Sequence, residues 1–186
     1  GDPAARWDAT GGRQGEAGGR SERTEGGELV DAAARYRELV DLERFGQAAE
    51  ALIAVVDEVA RRYGANSPQA GDLHRDIATA LALSGEQRRA LAEWERVEAI
   101  ELRLGGPRLW RARVGAVGCR AVLGDITATT AVDELYRLFG EIRGTEAELG
   151  EDGMRVRLAI AEWLPAAGDH ARAARFLAQL RDDLEV

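Results

Sequence analysis

The side chains best suited to chemistry are few, and the most suggestive group is the tripeptide His74-Arg75-Asp76. Phosphoryl-transfer enzymes use a His-Arg-Asp sequence in a loop whose aspartate accepts the substrate proton. That loop also requires an asparagine five residues after the aspartate as a metal ligand, and this chain has Leu81 there. No Asp-Phe-Gly sequence and no glycine-rich phosphate loop accompanies the tripeptide. We therefore interpret these residues as part of an ordinary helix.

The remaining candidate groups are isolated from one another. Cys119 is the only cysteine, so it can form neither an intramolecular disulfide nor an all-cysteine metal site, and we expect a packed thiol. His74 and His170 have no companion ligands at metal-binding spacing. An acidic cluster lacks calcium-loop spacing and is interpreted as a solvated turn. Its members are Glu146, Glu148, Glu151 and Asp152. The sequence thus predicts no catalytic residue, no metal site and no cofactor.

The composition argues against several functional classes. All 25 basic residues are arginine, so the chain has no lysine for a Schiff base or a phosphate anchor. The net charge of -8 argues against general nucleic-acid binding. No apolar run reaches the roughly 20 residues that a membrane helix needs. Because the chain opens with neither methionine nor a signal peptide, we expect a fragment of a longer cytoplasmic protein.

The elements that carry these residues follow a repeat. Ala48, Ala90, Ala131 and Ala173 are separated by 42, 41 and 42 residues, and each opens a stretch with helical spacing of apolar residues. A period in this range is typical of arrays of helix pairs. We predict an all-α fold, an α-solenoid of about four antiparallel helix pairs within residues 28–186. The predicted pairs are 28–64, 67–105, 107–149 and 151–184.

Local signals mark the start of this predicted domain and of its second pair. Residues 1–27 contain eight glycines and few apolar side chains, so we predict a flexible linker there. Ser67 and Pro68 have the residue types of a helix N-cap and a first helical position. The second pair is therefore predicted to begin at this dipeptide.

The third pair is the irregular one. Its turn is longer than the others, and we expect Thr129 or Thr130 to cap the helix that follows. Gly115 and Gly118 lie inside its first predicted helix, where each glycine costs about 1 kcal/mol of helix stability relative to alanine. We expect these glycines to allow a close approach between helices.

The second and fourth pairs share one spacing of large and small residues. The positions in the second pair are His74, Ile77, Ala78, Leu81, Gly85, Ala90, Trp94 and Val97. The positions in the fourth pair are Arg157, Ile160, Ala161, Leu164, Gly168, Ala173, Leu177 and Leu180. This spacing resembles the tetratricopeptide repeat (TPR), and the long period resembles its kinesin-light-chain-like form. The resemblance implies that the small residues allow the two helices of a pair to pack closely.

Several short segments carry a narrower similarity. They are Tyr36–Phe45, Leu104-Gly105, Leu149-Gly150 and Leu180–Leu184. These segments resemble the repeat region that follows the kinase domain in actinobacterial serine/threonine protein kinases, where a linker like residues 1–27 precedes the repeats. Similar repeats also end large actinobacterial regulators with nucleotide-binding domains, so both contexts stay open. This fragment itself is predicted to be non-catalytic.

The TPR resemblance implies a binding surface on the first helix of each pair, along the inner curve of the array. By position this surface would present Arg37, Arg75, Thr79, Arg108, Arg111, Arg155 and Glu162. Arginines can select an acidic or phosphorylated peptide by bidentate pairing. The same arginines would equally serve to solvate an exposed helix face.

Two functions follow from this interpretation. The first is a non-catalytic protein-protein interaction module that regulates an attached kinase and binds a protein or peptide, with no nucleic acid and no membrane insertion. The second is self-association into a homodimer, because terminal repeats normally need a polar cap and would otherwise bury their apolar faces against a second copy.

Overall fold

The computed structural model describes residues 20–106 and 108–184, and within these ranges every regular element is a helix. Ten helices follow one another along this part of the chain. They are α1 (Arg20–Asp41), α2 (Phe45–Ile53), α3 (Val56–Tyr63), α4 (Pro68–Leu83), α5 (Gln87–Leu104), α6 (Leu109–Leu123), α7 (Ala128–Ile142), α8 (Glu146–Leu149), α9 (Glu151–Trp163) and α10 (His170–Leu184). None of these helices is both long enough and apolar enough to span a membrane.

The chain divides into two compact units between Pro107 and Arg108. In the first unit, α4 packs against α2, α3 and α5, and α1 packs against α2 and α3. Apolar side chains from α2, α4 and α5 form its core, and several of them are completely buried. The fully buried residues include Leu52, Leu73, Ile77 and Val97. The predicted repeat region of residues 28–186 therefore contains two units, each with a core of its own.

The second unit is built around α9. This helix packs against α6, α7, α8 and α10, and α6 also packs against α7. Leu135 of α7 contributes to the same core as Val156 and Ile160 of α9, and all three side chains are fully buried. We call α1, α4, α6 and α9 the A helices, because each is the first helix of a predicted pair.

The four alanines of the sequence period all lie in these cores. Ala48, Ala90 and Ala131 have no exposed surface, and Ala173 is 4% exposed. Each lies near the start of the second helix of its pair, namely α2, α5, α7 or α10. A larger side chain at these positions would overpack the core, so the alanines set how closely each pair can pack.

Two equivalent turns confirm the repeat at the level of the backbone. Gly85 joins α4 to α5 with φ of 87°, and Gly168 joins α9 to α10 with φ of 81°. A residue with a side chain is strained in this left-handed region, which explains glycine at both positions. The residue after each glycine donates its N–H to the carbonyl of a core leucine, Glu86 to Leu81 at 2.9 Å and Asp169 to Leu164 at 3.1 Å.

The helix starts show one confirmed prediction and one wrong one. Ser67 caps α4 by accepting the Ala70 N–H at 3.1 Å, and Pro68 is the first helical residue, as predicted. The cap of α7 is Thr127, which accepts the Thr130 N–H at 3.1 Å, so neither Thr129 nor Thr130 is the capping residue. Thr127 has the extended backbone that an N-cap requires, whereas the two later threonines are already inside the helix.

The first pair departs from its predicted outline at its start and in the middle of its second helix. Helix α1 begins at Arg20, so residues 20–27 of the predicted linker belong to the helix, and residues 1–19 lie outside the described chain. Arginine and glutamate in this stretch favour a helix strongly enough to offset the cost of two glycines. The second helix of the pair is divided into α2 and α3 at Ala54 and Val55. Beta-branched residues flank this break and have low helix propensity.

Two glycines inside helices of the second unit differ sharply in their surroundings. A Cβ atom built on Gly153 of α9 would lie 2.8 Å from the carbonyl oxygen of Ala147 and closer still to that of Glu148. A Cβ atom on Gly118 of α6 would meet no other atom within 4 Å, so the prediction that Gly118 allows a close helix approach is wrong.

We expect Gly153→Ala to lower the free energy of unfolding by about 2 kcal/mol, because the backbone between α8 and α9 must shift. Gly118→Ala should raise it by about 0.5 to 1 kcal/mol, because alanine loses less entropy on entering a helix. Urea unfolding followed by circular dichroism measures both changes. Equal effects of the two substitutions would contradict the close approach at Gly153.

Candidate functional site

Arg75, on α4, is the best-defined of the predicted binding residues in the first unit. Its guanidinium lies 3.3 Å from Asp72 Oδ1 and 3.0 Å from Asp76 Oδ1, and the side chain is 19% exposed. Asp72 is completely buried. Thr79 donates its hydroxyl to the Arg75 carbonyl at 2.9 Å. Arg75 and Thr79 are therefore engaged by their own helix rather than presented to solvent.

A polar layer lies between α4 and α5, beside the pair Asp72–Arg75 that is formed within α4. His74 is 4% exposed, and its Nδ1 lies 2.5 Å from Oε2 of Glu93 on α5. Glu101 of α5 is also buried, with its carboxylate against the backbone of Gly71 on α4. His74, Glu93 and Glu101 therefore contribute polar contacts between the helices of the second pair. Breaking a buried ion pair leaves an uncompensated charge in a poorly solvated place. Recruiting Arg75 for a ligand would remove a counter-charge from the buried Asp72.

Arg37 lies on α1 and is half-buried. Within the described part of the chain it makes no hydrogen bond or ion pair. The structure thus separates the three predicted residues of the first unit into an engaged group, Arg75 with Thr79, and a single arginine on a different helix.

The second unit brings two of its four predicted residues to one carboxylate. Arg111 lies on α6 and Arg155 on α9, and both act electrostatically on Asp152 of α9. Arg155 also bonds Glu151 Oε1 at 2.7 Å. Arg108 precedes the first turn of α6, and Glu162 is exposed near the C-terminal end of α9. Packing of α6 against α9 therefore gathers Arg111 and Arg155 around Asp152.

Asp152 has an unusual electrostatic position for a residue in the first turn of a helix. Burial raises its pKa, the neighbouring Glu151 raises it further, and Arg155 and Arg111 act in the opposite direction. The sequence placed Asp152 in a solvated acidic turn, and that interpretation is wrong because the carboxyl is half-buried. The spacing of Glu151, Asp152 and Arg155 at three and four residues was the available signal for this cluster.

The ion pairs Glu151–Arg155 and Asp72–Arg75 differ in solvent exposure, and therefore in how readily each can be replaced. Glu151 is 81% exposed and Arg155 is 34% exposed, whereas the Asp72–Arg75 pair is almost entirely buried. Exposed ion pairs contribute about 0.2 to 1 kcal/mol, so an external carboxylate or phosphate can replace Glu151 at little cost. The cluster of Arg111, Asp152 and Arg155, which we call the α6–α9 arginine cluster, is therefore the part of the predicted face that can exchange partners.

Metal binding and a reactive thiol are two further candidate chemistries of the described residues. No group of three or more histidine, cysteine or acidic side chains is placed to hold a metal ion in this part of the structure. Cys119 is 3% exposed on α6, and burial raises the pKa of its thiol to about 11. A thiol with this pKa is protonated at neutral pH and is a poor nucleophile.

Two solved structures are similar to this one. Both are of a Podosopora anserina kinesin light chain with nearly identical TPR-like repeats, and one of the two is a single-substitution variant. The variant has a TM-score of 0.65 at 18% identity, covering 87% of this chain and 74% of that one. The other structure has a TM-score of 0.62 at 18% identity, covering 87% of this chain and 75% of that one. No protein-family model and no curated protein matches the chain.

These similarities define the class of fold. The chain is an all-α protein with a TPR-like helical-repeat fold, and TPR-like repeats belong to the α-solenoid class. The long repeat period, the buried alanines and the equivalent glycine turns in the second and fourth pairs all agree with this class.

We expect Cys119 to resist alkylation by iodoacetamide at about pH 8 in the folded protein, because the thiol is both buried and protonated. Unfolding in urea should restore the ordinary thiol pKa and accelerate the reaction by more than about a hundredfold. Mass spectrometry of samples quenched over time gives both rates. Similar rates with and without urea would show that the thiol is already accessible in the folded chain.

Proposed function

We propose that this chain is a non-catalytic protein-protein interaction module whose A helices bind an acidic or phosphorylated peptide. The observation that carries the proposal is the α6–α9 arginine cluster, where Arg155 of α9 pairs with Glu151 at 2.7 Å and Arg111 of the neighbouring α6 acts electrostatically on the adjacent Asp152. The similarity to TPR-like repeats supports a scaffold role, because such repeats present side chains from rigid helices.

The chemistry of the cluster favours anions that bind in a bidentate manner. A carboxylate or phosphate can accept two parallel N–H bonds from one guanidinium, which lysine cannot offer. Glu151 and Asp152 supply this charge in the free chain. A partner anion would take over the position of Glu151 beside Arg155. Arg108 and Glu162 of the same unit would then contact residues of the partner that flank this anion.

The wider setting of the module is part of the same proposal. The segment Tyr36–Phe45 and the leucine-glycine dipeptides at 104–105 and 149–150 support a place beside a bacterial serine/threonine protein kinase in the cytoplasm. In that setting the repeats would recruit or position a partner of the kinase, and phosphorylated segments would be natural ligands. The fragment supplies binding and the parent protein supplies catalysis.

We expect Arg111→Glu and Arg155→Glu to weaken binding of a fluorescein-labelled phosphoserine peptide by about tenfold each. Reversing the charge removes one bidentate partner and adds repulsion. Arg61→Glu is the matched control, because Arg61 is exposed and paired with Glu58 in the first unit. Fluorescence anisotropy measures the affinities, and unchanged binding by both variants would reject the α6–α9 arginine cluster as the site.

Self-association is the second candidate function, and exposed leucines of the second unit favour it. Leu158 of α9 is 52% exposed and Leu177 of α10 is 49% exposed. Leu177 occupies a position that is filled by Trp94 in the second pair, where the side chain is buried. A second copy of the chain would bury these leucines as a neighbouring repeat does.

Self-association predicts that the apparent mass rises with concentration. Leu177→Glu should keep the chain monomeric, because a carboxylate cannot enter an apolar interface without a partner. Leu83→Glu serves as the control, because Leu83 is also exposed but lies in the first unit. Static light scattering over a range of concentrations provides the readout. A monomer at every concentration for the unsubstituted chain would exclude this function.

A further inference from the structure

The repeat places two arginines at equivalent positions outside the A helices. Arg89 precedes Ala90 at the start of α5, and Arg172 precedes Ala173 at the start of α10. Both side chains belong to the second helix of a pair and are not part of the face predicted from the sequence. The two arginines occupy the same position in the repeat. Any difference between the contacts of their guanidinium groups therefore comes from the neighbouring side chains.

Arg89 forms ion pairs with two carboxylates of its own unit. One guanidinium nitrogen, Nη1, bonds Glu86 Oε2 at 2.7 Å, and the other, Nη2, bonds Glu50 Oε1 of α2 at 2.8 Å. Hydrogen bonds from Glu86 and then Glu50 raise the pKa of Arg89. The positive charge of Arg89 is therefore balanced within the first unit.

Arg172 has a different environment. Its guanidinium carbon lies 4.3 Å from the centre of the Tyr136 ring of α7. The Tyr136 ring meets the ring of Phe176 edge to face, with centres 6.2 Å apart and an interplanar angle of 83°. Phe176 follows Arg172 by one helical turn, so α10 both supports the tyrosine and covers it. The aromatic contact thus fixes where the guanidinium lies.

The carboxylates that neutralise Arg89 have counterparts that do not neutralise Arg172. Asp169 occupies the position of Glu86, but its Oδ1 accepts the backbone N–H of Arg172 at 3.0 Å. Asp133 of α7 occupies the position of Glu50 and is exposed. Across the described residues, no carboxylate forms an ion pair with the Arg172 guanidinium. Arg172 is exposed, as is Arg175 one turn further along α10.

We propose that Arg172, held on Tyr136, is a second recognition point that binds a glutamate or aspartate side chain of a protein partner. The Tyr136 ring contacts the guanidinium, and Arg172 remains exposed, so its N–H groups are accessible to a partner. Those N–H groups can form the bidentate carboxylate contact that guanidiniums favour. The two carboxylates on Arg89 show, at the same repeat position, the type of occupant that Arg172 would accept.

This surface lies on α7 and α10 and is separate in the sequence from the residues of the α6–α9 arginine cluster. The proposal therefore stands or falls independently of the A-helix face. Binding of a carboxylate by an exposed arginine also depends on ionic strength. Salt weakens the attraction between exposed charges, and the screening length is about 8 Å at physiological salt. Binding through Arg172 should weaken steadily as sodium chloride is added.

The test uses the whole chain and a fluorescein-labelled oligoglutamate peptide, with the corresponding oligoglutamine peptide as the uncharged probe. Arg172→Gln should weaken oligoglutamate binding by about fivefold or more, through loss of the charge-assisted contact. Arg89→Gln should leave it unchanged, because Arg89 is already neutralised. Oligoglutamine should bind none of these chains measurably.

Substitution of the aromatic support separates a positioned arginine from a mere surface charge. Tyr136→Leu keeps the arginine but removes the stacking, and should weaken binding by about twofold to fivefold. Tyr136→Phe keeps the ring and should bind as the unsubstituted chain does. Circular dichroism confirms that each variant is folded, and Tyr136→Met replaces Tyr136→Leu if the latter is not folded.

The measurements are repeated in a chain carrying Arg111→Glu, so that binding at the A-helix face is removed first. A loss on Arg172→Gln in this background supports the second recognition point. Equal losses for Arg172→Gln and Arg89→Gln would overturn it, as would binding that depends on Arg111 alone. Failure of the Arg172 arm alone leaves the A-helix proposal intact, so the two proposals fail separately.

Discussion

The contact on which the rest of this structure depends is the packing of each helix pair at a buried alanine. Ala48, Ala90 and Ala131 have no exposed surface, and each lies where the second helix of a pair meets its core. A small side chain there lets the helices approach closely, and any larger one would overpack the site. The glycine turns preceding α5 and α10 reverse the chain so that the second helix can pack against the first at this alanine. The repeat period sets the spacing between successive contacts of this kind.

The arginines of this chain have different partners, and their neighbouring side chains determine these differences. Arg75 pairs with the buried Asp72 of its own helix. Arg155 forms an exposed pair with Glu151 beside Arg111 and Asp152, where exchange with a partner costs little. Arg172 makes a cation–π contact with an aromatic ring, and Arg89 forms ion pairs with two glutamates. The arginines therefore differ in how far carboxylates of the fold already pair with them, and the proposed recognition depends on this difference.

Rigid helices suit this kind of recognition because they fix the distance between charged groups. Arg111 and Arg155 lie on neighbouring A helices, so their separation is set by core packing and not by loop motion. An ordered guanidinium loses less entropy on binding than a free one, which improves affinity without additional contacts. The same reasoning applies to Arg172, whose position is fixed by Tyr136 and Phe176.

The sequence by itself determined the helical class, the glycine turns and the Ser67 cap, because each depends on interactions within a few residues. It also determined the repeat period and the alanines that pack in the cores, because small residues recur at a fixed spacing. It misplaced the cap of α7 and the start of α1, where competing local signals differ by little free energy. Only the tertiary structure decided that Arg75 is engaged, that Asp152 is half-buried and that Arg172 lies on Tyr136. The partners of Arg75 lie on its own helix, but the burial of Asp72 and Asp152 and the contact of Arg172 with Tyr136 depend on residues distant in the chain. A repeat pattern does not specify which charges such packing brings together.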